Sequence, residues 1–205
     1  QPIPMLEDGL PDPSKIASAV KPDDPHFARS RVFCVENTKD GKVLSVERMR
    51  EATSVARDHG LRTHLDGARM WNAAVSLGID GAELTQDFDT VSLCLSKGLG
   101  TPMGSVLSGP TDLIAEARKW RKMLGGGLRQ VGMVAAAGIY AMEHNIERLA
   151  DDHATALVLG HGRCHGRTVD TERHDLGRGH CDRVETHGGD AVGRNLARAQ
   201  AAAKG

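Results

Sequence analysis

The stretch LCLSKGLGTPMGS, from Leu93 to Ser105, places one lysine between an apolar run and a glycine-rich segment. The residues VSLCL before it have the composition of a buried strand, and the glycines after it permit tight turns and close approach of the backbone. A lysine where such a strand ends can be partly desolvated, which lowers its pKa and frees its amine for Schiff-base chemistry. Lys97 is therefore either a nucleophile or a solvated lysine, and its spacing alone favours the second role.

Composition excludes several classes of protein. The chain has 205 residues, of which 40% are hydrophobic and 26% charged, as in a soluble globular protein. A net charge of −1 gives no electrostatic case for nucleic acid or for an anionic membrane surface. No apolar run approaches the roughly 20 residues that span a bilayer, and the first residues lack a signal-peptide pattern. Cys34 and Cys94 lie in apolar runs as expected core residues, which favours a reducing, cytoplasmic setting.

Strand and helix patterns alternate through residues 1–159. RVFCVEN, THLDG and TVSLCLS are strand candidates, whereas SVERMREATSVARDHG and PTDLIAEARKWRKMLGGG have helical periodicity. The segment from Arg129 to Leu159 continues as helix, and Trp71, Trp120 and Tyr140 are expected at core positions. This order predicts an α/β fold with a mostly parallel sheet flanked by helices.

Residues 160–205 form a segment of different composition. It has no aromatic residue, but it holds five of the ten histidines and nine of the 24 glycines. Such a segment cannot bury enough surface to offset chain entropy, so a poorly structured tail is expected. Six metal-ligand types occur there without a recognised zinc spacing, so no specific metal site is expected: Cys164, His165, His174, His180, Cys181 and His187.

Three chemically distinct side chains are expected at one edge of the sheet. Asp66 ends the strand RTHLD, Arg69 begins the next helix, and Lys97 follows VSLCLS. Ligands of such sheets bind beyond the carboxyl ends of the strands. A pyridine-aldehyde cofactor needs a lysine for the imine and a carboxylate at the ring nitrogen, and a guanidinium suits a carboxylate or phosphate. The alternatives are a helix cap for Asp66 and a solvated first-turn residue for Arg69.

Three motifs in order carry a resemblance to a known family: HLDGARMWNA (64–73), SKGLGTPMGS (96–105) and RKMLGGGLRQVGMVAAAG (121–138). Together they resemble the low-specificity L-threonine aldolases, in the β-eliminating lyase branch of the pyridoxal-phosphate enzymes. The resemblance covers about residues 1–157. It implies part of the large, cofactor-binding domain of the aspartate-aminotransferase-like fold within residues 1–159.

The resemblance also implies roles for individual residues. Lys97 matches the lysine that forms the imine with pyridoxal phosphate, and Asp66 matches the partner of the ring nitrogen. Arg69 would help to hold the substrate carboxylate. Arg129, in GGGLRQ, matches an arginine near the cofactor phosphate or a neighbouring active site. Lys39 stands after ENT, where the family usually has a histidine that contacts the substrate hydroxyl.

The implied activity is cleavage of L-threonine or L-allo-threonine to glycine and acetaldehyde by a homodimer or homotetramer, in glycine formation and threonine breakdown. The small-residue helix at 131–142 would serve packing between subunits. The phosphate loop and the small domain of the family have no counterpart in the sequence, and a divergent tail or a shifted reading frame would explain the change after Leu159. The alternatives are β-elimination or racemisation on the same fold, or a non-catalytic remnant.

Overall fold

The structure, a computed structural model, describes the backbone of residues 1–165 and the side chains of residues 1–159. Within this part the elements are α1 (Pro13–Ala19), β1 (Val32–Glu36), α2 (Val46–Asp58), β2 (Arg62–Gly67), α3 (Met70–Leu77), α4 (Gly81–Thr85), β3 (Thr90–Cys94), β4 (Ser105–Ser108), α5 (Thr111–Met123), α6 (Gly132–His144) and α7 (Leu149–His165). No helix in the described residues has the length and apolarity that a membrane span requires.

The four strands form one sheet in the order β1-β2-β3-β4. Strands β1, β2 and β3 are parallel, whereas β4 runs antiparallel to β3. The predicted mostly parallel α/β sheet is confirmed. The sequence pattern did not reveal β4, because its four residues follow a glycine-rich loop and are too few for a periodic signal.

One face of the sheet is the main core. Because side chains alternate across a strand, every second residue of β1 and β2 points to this face. Helix α2 packs on β1 and β2, and α1 packs on α2. The buried residues of this core include Ile16, Phe33, Val35, Met49, Ala52, Ala56, Leu65 and Val91.

The other face is polar and accessible. Cys34, His64 and Asp66 alternate with the core residues of β1 and β2, and Nδ1 of His64 is hydrogen bonded to Oγ1 of Thr90 at 2.8 Å. The prediction that Cys34 is a core residue is wrong, since its thiol is free and exposed on this face. Parallel sheets are usually covered on both faces, so this open face is unusual.

A second, smaller core lies beside the end of β3. It consists of the buried residues Leu95, Leu99, Ala141 and Leu149, with Trp71, Val75 and Ile146 packed against them. The segment that follows β3 is thereby fixed against α6 and α7.

Helices α5 and α6 expose much apolar surface. Helix α5 has no buried residue, and Trp120 and Tyr140 are 54% and 60% exposed. The prediction that these two side chains pack in the core is wrong, whereas Trp71 does pack against the second core. Helical periodicity identifies an apolar face, but it does not tell whether this chain itself covers that face.

The segment from Arg129 to Leu159 forms two helices rather than one. Helix α6 ends at His144, and α7 begins at Leu149. Helix α7 continues to His165, six residues past the predicted boundary at residue 159, while residues 166–205 lie outside the described part. The expectation of a poorly structured segment without a specific metal site therefore stays a prediction for residues 166–205.

Asp89 links the starts of β2 and β3. Its carboxylate accepts hydrogen bonds from the backbone N–H (2.7 Å) and Oγ1 (2.9 Å) of buried Thr63 and from Nη1 of Arg62 (3.2 Å). Burial acts to raise the pKa of this carboxyl, but the bonds from Thr63 and Arg62 outweigh burial and hold the pKa below the ordinary 3.8.

Asp89→Asn is expected to lower the urea midpoint at pH 7. A folded-state pKa below the unfolded value stabilises the fold above the unfolded pKa, and this stabilisation is lost as the pH falls through the folded value. The difference in urea midpoint between Asp89→Asn and the wild type should therefore become smaller below about pH 4. Urea unfolding at several pH values measures this difference. Asp112→Asn, which changes an exposed carboxylate, is the control. A difference in urea midpoint that does not change with pH would contradict the stabilising role of ionised Asp89.

Candidate active site

Three neighbouring strands end at the edge where the predicted side chains lie. Glu36 of β1 is in register with Asp66 of β2, which is in register with Ser92 of β3. Lys39 follows β1 by three residues, and Lys97 follows β3 by three. The topology therefore places Asp66 on the middle strand of this edge, with Lys39 and Lys97 on the loops that follow the strands to either side of it.

Asp66 is exposed, and one of its carboxylate oxygens is free. Oδ1 accepts a hydrogen bond from the backbone N–H of Ala68 (3.1 Å), and the backbone carbonyl accepts one from Asn37 (3.1 Å). Oδ2 has no partner among the described residues. Asp66 does not cap α3, because Arg69 occupies that position without a side-chain bond. The local alternative for Asp66 is therefore a short turn rather than a helix cap.

Arg69 is exposed at the start of α3. Its guanidinium has no ion-pair partner within residues 1–159, so its five N–H donors are available. Since Arg69 follows the free carboxylate of Asp66 by three residues, both groups belong to the same edge of the sheet.

Lys97 lies on a loop fixed from both sides. Leu95 and Leu99, two residues before and after it, are 7% and 2% exposed, whereas Lys97 itself is exposed. The backbone carbonyl of Lys97 accepts a bond from Gly100 (2.9 Å). The desolvation that the sequence suggested for Lys97 is not present, because a short loop can bury two leucines and leave the lysine between them in solvent.

This loop is held by hydrogen bonds from two polar residues that were not predicted from the sequence. Nη2 of Arg148 donates to the carbonyl of Gly98 (2.6 Å), and Nδ2 of Asn145 donates to the carbonyl of Leu99 (2.8 Å). Both residues lie in the turn between α6 and α7, about 50 positions away in sequence. No local pattern signals such contacts, because they depend on tertiary packing.

Gly98→Ala is expected to destabilise the fold by about 1–3 kcal/mol. A Cβ at Gly98 would lie 2.6 Å from Cδ2 of buried Leu149 and 3.1 Å from Oδ2 of Asp152. Urea unfolding measures the change. Gly132→Ala is the matched control, since nothing lies within 4 Å of its added Cβ. Equal stability of the two variants would show that the loop is not held against α7.

Lys39 is held in its loop by buried Asn37. The Asn37 amide donates to the carbonyl of Leu44 and accepts from its N–H, both at 3.2 Å. Nζ of Lys39 lies 3.0 Å from Oδ1 of Asp40 and 3.6 Å from Oε2 of Glu36. The hydrogen bond that Nζ donates to Asp40, with a smaller effect of Glu36, raises the pKa of Lys39 above its ordinary 10.5. Lys39 is therefore a hydrogen-bond donor at neutral pH and not a base.

Arg129 is exposed in the connection between α5 and α6. No contact in the described part of the chain joins its guanidinium to Asp66, Arg69 or Lys97. The topology thus places four of the five predicted residues at one edge of the sheet, and Arg129 lies outside the sheet, between α5 and α6. Within residues 1–159 no three His, Cys, Asp or Glu side chains are grouped so that they could hold a metal ion.

Comparison with known proteins identifies close relatives. The family model described as beta-eliminating lyase matches residues 1–186. The low specificity L-threonine aldolase of Escherichia coli K12 is 51% identical over 159 residues, covering 78% of this chain and 48% of the relative. The chain spans about half the length of the curated relatives it matches.

Solved structures of similar fold include proteins described as threonine aldolases. A candidate L-allo-threonine aldolase of Listeria monocytogenes superimposes with a TM-score of 0.64 at 25% identity, over 78% of this chain and 44% of the other. A threonine aldolase of Leishmania major gives a TM-score of 0.65 over 78% of this chain and 49% of the other; at 21% identity it supports the fold alone.

Proposed function

Since the chain belongs to the beta-eliminating lyase family, we propose that it is part of a pyridoxal-phosphate enzyme that cleaves L-threonine or L-allo-threonine to glycine and acetaldehyde. One observation carries the proposal: Lys97, Asp66 and Arg69, none with an ion-pair partner in residues 1–159, belong to a single edge of the parallel sheet. The 51% identity to a threonine aldolase supports the choice of reaction.

The residues present fit pyridoxal phosphate. Oδ2 of Asp66 is free to accept a hydrogen bond from a protonated ring nitrogen, since Ala68 engages only Oδ1. Lys97 offers an exposed primary amine on a rigid loop, the group that joins the aldehyde. The polar face that carries Cys34 and His64 lies on the same strands as Glu36 and Asp66.

Each residue then has a defined task. When bound, pyridoxal phosphate supplies an electron sink for negative charge at the α-carbon of an amino acid. Lys97 would hold the cofactor covalently through Nζ. Asp66 holds the proton on the ring nitrogen by charge-assisted hydrogen bonding. Arg69 binds the substrate carboxylate through two parallel N–H bonds and so orients the α-carbon.

Lys39 is proposed to donate a hydrogen bond to the β-hydroxyl of the substrate. Its carboxylate neighbours keep it protonated, so it can orient the hydroxyl but cannot remove the proton from it. Asn37 contributes indirectly, because its amide fixes the loop that carries Lys39. Asn145 and Arg148 have the same positioning role for the loop of Lys97.

The remaining assignments concern the assembly. We propose that Arg129 contacts the cofactor phosphate of the same or a neighbouring site in a homodimer or homotetramer. The exposed apolar side chains of α5 and α6 support an interface between copies, because a soluble protein rarely leaves so much apolar surface in water. Residues 1–159 are proposed as part of the cofactor-binding domain, and the free thiols of Cys34 and Cys94 support a reducing, cytoplasmic setting.

A second candidate is a non-catalytic remnant of the same family. The exposure of Lys97 and Asp66 favours it for this chain in isolation, since electrostatic catalysis is strongest where water is excluded.

An assay of the purified chain with pyridoxal phosphate separates the candidates. L-threonine and L-allo-threonine are supplied in turn, and glycine and acetaldehyde are measured; serine dehydration and isomer exchange are followed in parallel. Equimolar glycine and acetaldehyde support the aldolase. Ammonia release or racemisation without cleavage supports another reaction on this fold. No turnover of any substrate by the isolated chain supports the remnant.

A further inference from the structure

A basic cavity lies at the opposite end of the sheet from the candidate active site. It has a volume of about 450 Å³ and lies where β1 and β2 begin, lined by Lys21, Arg29, Arg31, His59 and Arg62 among others. Arg62 and Asp66 are four residues apart on β2, about 13 Å at ~3.3 Å per residue. The cavity is therefore separate from the edge that carries Lys97.

The positive charge of the cavity is not balanced by its surroundings. Among the described residues of its lining Asp23 is the one carboxylate, and Arg62 is paired with Asp89 at 3.2 Å. Lys21, Arg29 and Arg31 have no ion-pair partner among residues 1–159. Four fixed cations thus face two carboxylates, and the site attracts anions.

The walls of the cavity are fixed by hydrogen bonds before any ligand binds. The backbone N–H of Lys21 donates to Oγ of Ser30 (3.0 Å), which ties the two segments of the rim together. The backbone N–H of Arg62 donates to the carbonyl of Arg31 (2.8 Å) and joins the starts of the two strands. These bonds fix the backbone of the site, and the exposed side chains of Arg29 and Arg31 become ordered on binding.

We propose that this cavity binds the phosphate group of a small organic metabolite. Arginine forks match phosphate oxygens in a bidentate geometry, and Arg29 and Arg31 both have free donors. The volume falls within the ~300–1,000 Å³ of small-molecule sites and exceeds the need of a lone phosphate ion. Val20 and Pro22 add apolar lining for the organic part of the ligand.

Calorimetric titration of the intact chain tests the proposal. Glycerol phosphate, inorganic phosphate and sulfate are titrated in turn at one ionic strength. Glycerol phosphate is expected to bind at least several-fold more tightly than the two inorganic anions. Arg31→Gln and Arg29→Gln are each expected to weaken its binding about 10-fold. Arg118→Gln, an exposed arginine on α5 outside the cavity, serves as the matched control and should bind as the wild type does.

Arg129→Gln and Lys97→Ala separate this site from the candidate active site, because both should leave glycerol phosphate binding unchanged. Circular dichroism confirms that each variant is folded. Three results would overturn the proposal: equal affinity of wild type and the Arg29 and Arg31 variants, loss of binding in Lys97→Ala, or equal affinity for sulfate and glycerol phosphate.

Discussion

Lys97→Ala is expected to abolish the covalent attachment of pyridoxal phosphate and to reduce any threonine cleavage by about 10³-fold or more. The buried residues Leu95 and Leu99 and the bonds from Asn145 and Arg148 position the loop that carries Lys97. The visible absorbance of the lysine-bound cofactor and the rate of acetaldehyde release are the two measurements.

Lys119→Ala is the matched control for this variant, since Lys119 is exposed on α5, outside the sheet. It should keep the absorbance and the rate of the wild type. A Lys97→Ala protein that keeps both would contradict the assignment of Lys97.

Asp66→Ala is expected to lower turnover by about 10²–10⁴-fold while the cofactor remains attached through Lys97. The free oxygen of the carboxylate would hold the proton on the ring nitrogen, and without that proton negative charge at the α-carbon is poorly accommodated. Absorbance measures attachment, and product formation measures turnover.

Asp66→Ala is thus expected to lose turnover without losing cofactor attachment. Asp112→Ala, an exposed carboxylate in the first turn of α5, should change neither of them. Loss of cofactor attachment in Asp66→Ala, parallel to the loss of turnover, would indicate that Asp66 holds the structure of the edge rather than the ring nitrogen.

The parallel sheet and its main core were predictable from the sequence, because they depend on local patterns. The alternation in RVFCVEN and RTHLDG and the helical spacing of Met49, Ala52 and Ala56 are short-range signals, and the structure confirms them. Asp66, Arg69 and Lys97 could be grouped for a related reason: parallel strands bring their carboxyl ends to one edge.

Other features could not be predicted, because they depend on distant parts of the chain. The bonds from Asn145 and Arg148 to the Lys97 loop join residues far apart in sequence. The exposure of Trp120 and Tyr140 could not be predicted for a different reason. Helical spacing predicts an apolar face, but it does not show which surface covers that face. The basic cavity combines residues from three separate segments of the chain. In the sequence, each segment has only the pattern of charged, solvent-exposed residues.

The most direct test of the account is to locate the cofactor on the chain. The protein is incubated with pyridoxal phosphate, the bond between lysine and cofactor is reduced with borohydride, and tryptic peptides are analysed by mass spectrometry. The peptide from Met70 to Arg118 contains a single lysine, Lys97, so a modification within it has one possible position. The adduct is expected in this peptide of the wild type and is expected to be absent from Lys97→Ala. Adducts spread over surface lysines such as Lys119 and Lys122, with none at Lys97, would contradict it.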